Sequence, residues 1–220
     1  RLPALSHIEL GSSDTTKLSW DDIYTLIQAC PEVDFDYSFT VYGKAFSLDS
    51  REMDFNHMPL PDYGAEAVQA ARCMKKLELL DMDFCGVPNE IMEQIRDALP
   101  GVKVVWRIWF GQLYSVRTDT DRILASKPSV GGVIDNLEAA KLRHCTKVKY
   151  LDIGHNYELA DFSFVAKMPD LEVAIIAMTS ITDISGLANC SKLDYLELNS
   201  TNVKDLSPLE NRKVIKHMTM

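Results

Sequence analysis

The stretch that decides the fold is Leu193-Asp194-Tyr195-Leu196-Glu197-Leu198, which has apolar residues at its first, fourth and sixth positions. The same spacing occurs three more times in the C-terminal third, at steps of 22 or 23 residues. The four copies begin at Val148, Leu171, Leu193 and Ile215. A fixed period of this length indicates stacked repeats. Because one repeat cannot bury its own apolar edge, the copies must share a core, which predicts a solenoid.

A second motif lies between these predicted strands. Its three copies begin at Asp161, Asp183 and Asp205, each followed by apolar residues and by a Ser two positions later. An Asp in this place can accept backbone N–H groups and open a tight turn or a short 3₁₀ segment. The apolar residues that follow are expected to point back into the core.

Together these motifs resemble the short repeats of internalin-type bacterial leucine-rich-repeat proteins, over about residues 148–220. Asn156 keeps the Asn that is usual after the strand, whereas Thr179 and Thr201 replace it. The resemblance implies an α/β fold, a right-handed leucine-rich-repeat solenoid. Its curved parallel β-sheet would form the concave side, with short helices or 3₁₀ segments on the convex side.

A longer repeat occupies the first two thirds of the chain. Residues 29–33 match 98–102, residues 35–41 match 104–110, and residues 72–82 match 143–153. This part resembles the irregular long repeats of bacterial leucine-rich-repeat surface proteins. We therefore expect one solenoid over 1–220, with irregular long repeats in 1–136 and regular repeats of 22–23 residues in 137–220. We also expect the chain to be a fragment of a longer protein. The repeat register between 118 and 136 stays open.

Local patterns predict the individual elements. Helices are expected near 20–29, 65–72, 90–98 and 137–143. A half-buried strand is expected at 33–41, where apolar and polar residues alternate. A continuous parallel sheet is expected to contain strands near 78–82, 103–109, 149–153, 172–176 and 194–198. Residues 53–63 and 126–132 are expected to be loops.

The composition limits the possible functions. The chain has 220 residues, 46% of them hydrophobic and 25% charged, which is ordinary for a globular protein. The formal net charge of -9 disfavours nucleic acid and anionic lipid as partners. An apolar run of the roughly 18 residues that a transmembrane helix needs does not occur, and neither does an apolar signal segment.

Five cysteines are present, without a Cys-x-x-Cys pair that would indicate a zinc site or a redox motif. We interpret them as small buried apolar residues that form no internal disulfide. Cys145 and Cys190 stand at equivalent repeat boundaries, so both are expected to face the core.

The residues between the inward positions should point outward and line up across the sheet. One predicted row contains Leu79, Tyr150, Val173, Tyr195 and His217. The next contains Asp81, Asp152, Ile175, Glu197 and Thr219, and a third contains Phe84, His155, Met178 and Ser200. The predicted binding residues on this concave face are Leu79, Asp81, Tyr150, Asp152, His155, Val173, Ile175, Tyr195, Glu197 and Asn199.

Motifs of catalysis are absent from the sequence: it contains no phosphate-binding loop, no Gly-x-Ser-x-Gly elbow and no His-Glu-x-x-His. Asp152 and His155, with Asp81 close to them in the stack, could form a metal or acid–base site, although surface hydrogen bonding is the simpler interpretation. We expect a non-enzymatic module without a cofactor that binds a protein or glycan. The alternative is a structural scaffold within a larger surface protein. The resemblance implies an extracellular or cell-surface location, and the apolar part of the face could support self-association.

Overall fold

The computed structural model describes residues 5–111, 113–126, 134–210 and 215–219. The chain forms two compact units, Arg1–Trp106 and Arg107–Met220. The predicted loop at 126–132 falls mostly outside the described residues. None of the helices in the described ranges combines the length and the apolar character needed to cross a bilayer.

The helices lie close to where their sequence signals place them. They are α1 (Trp20–Ala29), α2 (Ala65–Cys73), α3 (Asn89–Ala98) and α4 (Asn136–Ala140). Helix α1 begins with a capping box, in which the Ser19 hydroxyl accepts from the Asp22 backbone N–H and the Asp22 carboxylate accepts from the Ser19 N–H. The helix predicted at 137–143 is α4 followed by the 3₁₀ segment Lys141–His144.

The first unit contains two three-stranded sheets. Strands β1 (His7–Ser12), β2 (Asp34–Val41) and β3 (Lys44–Ser47) form one sheet, in which β1 is parallel and β3 antiparallel to β2. Strands β4 (Glu52–Asp54), β5 (Leu79–Asp81) and β6 (Lys103–Val105) form a parallel sheet in the order β4–β5–β6. Neither β1 nor β4 was predicted from the sequence.

The second unit begins with an antiparallel hairpin of β7 (Arg107–Phe110) and β8 (Tyr114–Arg117). Its five-stranded parallel sheet has the order β13–β12–β11–β10–β9. Its strands are β9 (Arg122–Leu124), β10 (Tyr150–Asp152), β11 (Val173–Ile175), β12 (Tyr195–Glu197) and β13 (His217–Thr219). The 3₁₀ segments Ser163–Lys167, Ser185–Asn189 and Ser207–Leu209 connect the last strands.

Two predictions about the sheet are wrong. The strand predicted at 103–109 is divided at Trp106 into β6, which is parallel to β5, and β7, which is antiparallel to β8. The predicted continuous sheet is also interrupted, because the ladder that contains β10 starts at β9 and does not include β5. Between β6 and β9 the chain forms the β7–β8 hairpin, so β6 is not followed directly by another parallel strand.

The core of the second unit follows the predicted repeat. Ile123, Leu151, Ala174 and Leu196 lie opposite one another on successive strands, and each is 0% exposed. The next inward row is also buried and contains Ala125, Ile153, Ile176 and Leu198. Repeated short parallel strands that alternate with 3₁₀ turns around a shared core constitute the leucine-rich-repeat fold.

The Asp residues between the strands have the predicted role. Asp161, Asp183 and Asp205 each accept a hydrogen bond from the backbone N–H two residues later, at 2.7–2.8 Å. Each of these bonds opens one of the 3₁₀ segments, which turns the chain back towards the core.

All five cysteines are free thiols, and four of them are buried, whereas Cys30 is partly exposed. Cys145 and Cys190 occupy equivalent places, as predicted. Each ends a 3₁₀ segment, and its N–H donates over 2.9 Å to the carbonyl of Leu142 or Leu187. Burial raises the pKa of Cys145 to about 12.

Strand pairing extends the long repeat to the start of the described chain. His7 lies opposite Asp34 in the β1–β2 pair, and Leu79 lies opposite Lys103 in the β5–β6 pair. Because the sequence repeat aligns Asp34 with Lys103, β1 is the structural equivalent of β5. The first unit therefore contains two versions of the same pair of parallel strands.

Candidate binding face of the second unit

The outward side chains of β9–β13 form rows across the sheet, and we call this surface the sheet face. Strand register places five side chains in the first row: Arg122, Tyr150, Val173, Tyr195 and His217. Neighbouring strands in a sheet are roughly 4.8 Å apart, so neighbouring side chains of this row lie within reach of one another.

Both ends of the first row are held by ring contacts. The guanidinium carbon of Arg122 lies 4.2 Å from the centroid of the Tyr150 ring, which is cation–π geometry. The rings of Tyr195 and His217 stack at 4.6 Å with an angle of 12° between their planes. Val173 lies between these two pairs and is half-buried. The row therefore presents cationic, aromatic and apolar groups in a fixed order.

The second row contains Leu124, Asp152, Ile175, Glu197 and Thr219. The Tyr195 hydroxyl donates to Glu197 Oε1 over 2.8 Å, and this bond to the carboxylate raises the pKa of Tyr195. Thr219 Oγ1 donates to Asn199 Oδ1 over 2.9 Å. Leu124 is 42% exposed, so the row offers apolar area beside its two carboxylates.

Asp152 has a structural role besides any role in binding. Its Oδ1 accepts from the Gly154 backbone N–H over 3.1 Å and closes the turn after β10. Asp54 and Asp81 close the turns after β4 and β5 in the same way. At this position of the repeat, an Asp is therefore explained in part by turn formation.

The third row lies on the turns that follow the strands. His155, Met178 and Ser200 have left-handed backbone conformations, with φ of 62°, 58° and 58°. Each directly precedes a residue whose side chain hydrogen-bonds to the backbone on the inner side of the turn. The left-handed residue reverses the chain so that its own side chain stays at the surface while the next one reaches inward.

The inward residue after β10 is Asn156, which is 0% exposed. Its Nδ2 donates to the carbonyls of Ala125 and Ile153, both at 2.9 Å, and its Oδ1 accepts from the Ile134 N–H at 2.8 Å. The hydroxyls of Thr179 and Thr201 make the corresponding bonds to the carbonyls of Ile176 and Leu198 at 2.8 and 2.6 Å. These bonds fix the turns that carry the third row.

Two residues of the predicted site belong to the first unit and not to the sheet face. Leu79 and Asp81 belong to β5 in the first unit, where their neighbours are Glu52 with Lys103 and Asp54 with Val105. Phe84 follows the same strand. Asp81 is 8% exposed, so the structure places its side chain in a largely buried position and not on the open face that the sequence predicted. The predicted stacking of Asp81 beside Asp152 is also wrong, because Leu124 and Ile175 lie on either side of Asp152 in its sheet.

The residues that the structure adds to the face are Arg122 and Leu124 on β9. The sequence contains a weak signal for this strand, since Ile123 and Ala125 have the same spacing as Leu151 and Ile153. The predicted residues that the structure brings together are Tyr150, Asp152, His155, Val173, Ile175, Tyr195, Glu197 and Asn199.

The chain is structurally similar to solved bacterial proteins over most of its length. Internalin C2 from Listeria monocytogenes is 17% identical, with 92% of this chain and 84% of that chain covered and a TM-score of 0.37. A Leptospira interrogans leucine-rich-repeat protein is 14% identical, with coverage of 79% and 37% and a TM-score of 0.36. Listerial internalin F is 12% identical, with coverage of 88% and 56% and a TM-score of 0.33.

No protein-family model and no curated protein sequence matches the chain. The leucine-rich-repeat fold is therefore established by the chain's own strands, turns and buried rows.

Proposed function

We propose that the chain is a non-enzymatic recognition module whose sheet face binds a protein or a glycan. The observation that carries this proposal is the first row, in which Arg122 lies over Tyr150 and Tyr195 stacks on His217. The same proposal assigns binding roles to Asp152, His155, Val173, Ile175, Glu197 and Asn199, which surround the two tyrosines.

The packing of the rings supports a role in binding. A ring already held by its neighbours loses little conformational freedom when a partner binds, so more of the contact energy remains as affinity. Tyr also supplies both apolar area and a hydroxyl group, which explains its enrichment at interfaces. Val173 and Ile175 add half-buried apolar area beside the tyrosines.

The charges of the sheet face favour a partner that is basic or of mixed polarity. Asp152 and Glu197 lie in the second row, whereas Arg122 contributes a positive charge at one end of the first row. Complementary charges mainly raise the association rate and select the correct partner. We expect neither nucleic acid nor an anionic membrane to bind, given the net charge of -9.

We propose that residues 1–220 act as one solenoid, with irregular repeats in 1–136 and regular repeats in 137–220. We place the protein outside the cell or on its surface. Self-association through Val173, Ile175 and Met178 is a second use of the same face, which sedimentation at increasing concentration would detect.

The test is capture of partners from host or bacterial surface extracts and from a glycan array. The wild-type chain is compared with the double variant Tyr150→Ala/Tyr195→Ala. The matched control is Tyr157→Ala, since Tyr157 is exposed but lies outside the rows of the sheet face. We expect the double variant alone to lose the partner. Equal recovery of one partner by all three proteins would show that another surface binds it.

A further inference from the structure

A group of metal-binding side chains lies on the β1–β2 pair of the first unit. In this parallel pair His7 is opposite Asp34 and Glu9 is opposite Asp36, and all four residues are exposed. His7 Nε2 is 3.3 Å from Asp36 Oδ2. One ligand atom from each of His7, Glu9 and Asp36 lies within 4.8 Å of the others. Within residues 5–111, 113–126, 134–210 and 215–219, no other group of three or more His, Cys, Asp or Glu residues meets this condition.

The register of the strands creates a charge conflict at this place. Glu9 and Asp36 are directly opposite on neighbouring strands, and like charges in that relation destabilise a sheet. Asp34 adds a third carboxylate to the same exposed side of β2. One imidazole cannot balance three carboxylates, whereas a divalent cation between Glu9 and Asp36 would convert their repulsion into attraction.

The repeated architecture shows that the fold does not require these residues. In the equivalent β5–β6 pair, Leu79 stands in the place of His7 and Lys103 in the place of Asp34. Asp81 and Val105 occupy the places of Glu9 and Asp36. The second pair keeps one carboxylate and neither of the other two ligands. The ligand set is therefore particular to β1–β2 and is not imposed by strand formation.

We propose that His7, Glu9 and Asp36 bind a divalent transition-metal ion of the Zn²⁺, Co²⁺ or Mn²⁺ class. One imidazole nitrogen with two carboxylate oxygens suits these ions, whereas Ca²⁺ and Mg²⁺ prefer oxygen ligands alone. Ligands bound about 2 Å from such an ion are roughly 3–4 Å from one another, which small rotations of these exposed side chains can reach. Three protein ligands leave coordination positions for water or for a donor group of a partner.

The experiment is a titration of the reduced full chain with Co²⁺, monitored by calorimetry and by ultraviolet–visible absorption. Absorption distinguishes this site from the cysteines, because a thiolate ligand gives an intense near-ultraviolet charge-transfer band. The variants are His7→Ala and Asp36→Asn. The matched control is Asp34→Asn, which removes one negative charge from the same strand without removing one of the three ligands. Circular dichroism confirms that each variant is folded.

We expect one Co²⁺ per chain without the thiolate band. Affinity should fall at least tenfold in His7→Ala and in Asp36→Asn and should change less than threefold in Asp34→Asn. The proposal would be overturned by absence of binding, by binding with the thiolate band, or by equal losses in Asp36→Asn and Asp34→Asn. Mg²⁺ binding of similar strength that survives His7→Ala would indicate diffuse attraction by carboxylates and would also overturn it.

Discussion

The thiol of Cys85 and the side-chain amide of Asn156 make equivalent hydrogen bonds in two different sheets. Cys85 Sγ donates to the Phe55 carbonyl over 3.1 Å, and Asn156 Nδ2 donates to the Ala125 carbonyl over 2.9 Å. In both cases the acceptor belongs to the neighbouring repeat. Each donor also follows a left-handed residue, Phe84 or His155. Cys85 therefore occupies the Asn position of a leucine-rich repeat, which explains its burial in polar surroundings.

Replacement of Asn156 by Ala should lower the free energy of unfolding by about 3–4 kcal/mol, since a net hydrogen bond contributes about 1 kcal/mol and four direct bonds are lost, of which the one to the Gly154 carbonyl at 3.3 Å is the longest. Chemical denaturation monitored by circular dichroism measures this change. The control is Asn202→Ala at an exposed position, which should change stability by less than about 0.5 kcal/mol. An equal effect of the two substitutions would contradict a structural role for Asn156.

The inward row offers a second matched comparison. Leu196→Ala should destabilise the chain by about 2–5 kcal/mol, because Leu196 is 0% exposed and the substitution leaves a cavity. Met218 occupies the adjacent inward position on β13 but is 41% exposed. Met218→Ala should therefore cost less than about 1 kcal/mol. Denaturation curves of the two variants test the difference, and similar losses would show that the core does not follow the strand register.

The cysteines should differ in reactivity. Burial raises the pKa of Cys73 and Cys85 to about 11 and that of Cys145 to about 12, which keeps these thiols protonated at neutral pH. Cys190 is buried as well, whereas Cys30 is partly exposed. We expect iodoacetamide to modify Cys30 first in the native chain and all five thiols after unfolding. Peptide mass spectrometry identifies the sites, and early modification of Cys145 would contradict the burial of this thiol.

The sequence predicted β10, β11 and β12 well because each repeat places three inward apolar residues at a fixed spacing. It missed β4 and β9 because the first of the three inward positions is polar there, Ser50 before β4 and Thr120 before β9. Only two apolar residues at the repeat spacing remain, Met53 with Phe55 and Ile123 with Ala125. A pair of apolar residues is too short to identify a period.

The division of the predicted strand at Trp106 could not be recognised from the sequence, for a different reason. Val104, Trp106, Ile108 and Phe110 are all buried, so the alternation of buried residues continues through the break. A period of two reports which side of a strand is buried, but it does not report which neighbour the strand pairs with. The change from a parallel to an antiparallel partner therefore has no signature in this stretch.

The missing information about strand pairing also explains which predicted rows of the sheet face are correct. The predicted rows are correct across β10, β11 and β12, where repeats of nearly equal length fix the register. They fail at Leu79 and Asp81, because the rows were continued directly from β5 to β10, across the strand predicted at 103–109 and the residues 118–136 whose register stayed open. The hairpin and β9 lie there, and Arg122 takes the place that had been given to Leu79.

The last prediction separates the ring of Tyr195 from its hydroxyl. Tyr195→Phe keeps the ring that stacks on His217 and removes the bond to Glu197, whereas Tyr195→Ala removes both. If the ring is an anchor, Tyr195→Ala should weaken binding of the captured partner by about 1–2 kcal/mol or more, and Tyr195→Phe by less than about 0.5 kcal/mol. Surface plasmon resonance measures both affinities.

Stability should change little in either variant, because Tyr195 points outward from the core. Glu197→Lys should mainly change the association rate and its dependence on salt, since a charge at the rim of an interface steers the encounter. If Tyr195→Phe instead loses as much affinity as Tyr195→Ala, the hydroxyl and its bond to Glu197 carry the recognition. If neither variant loses affinity while Tyr157→Ala does, the partner binds the turns beyond the strands, and the sheet face is the wrong surface.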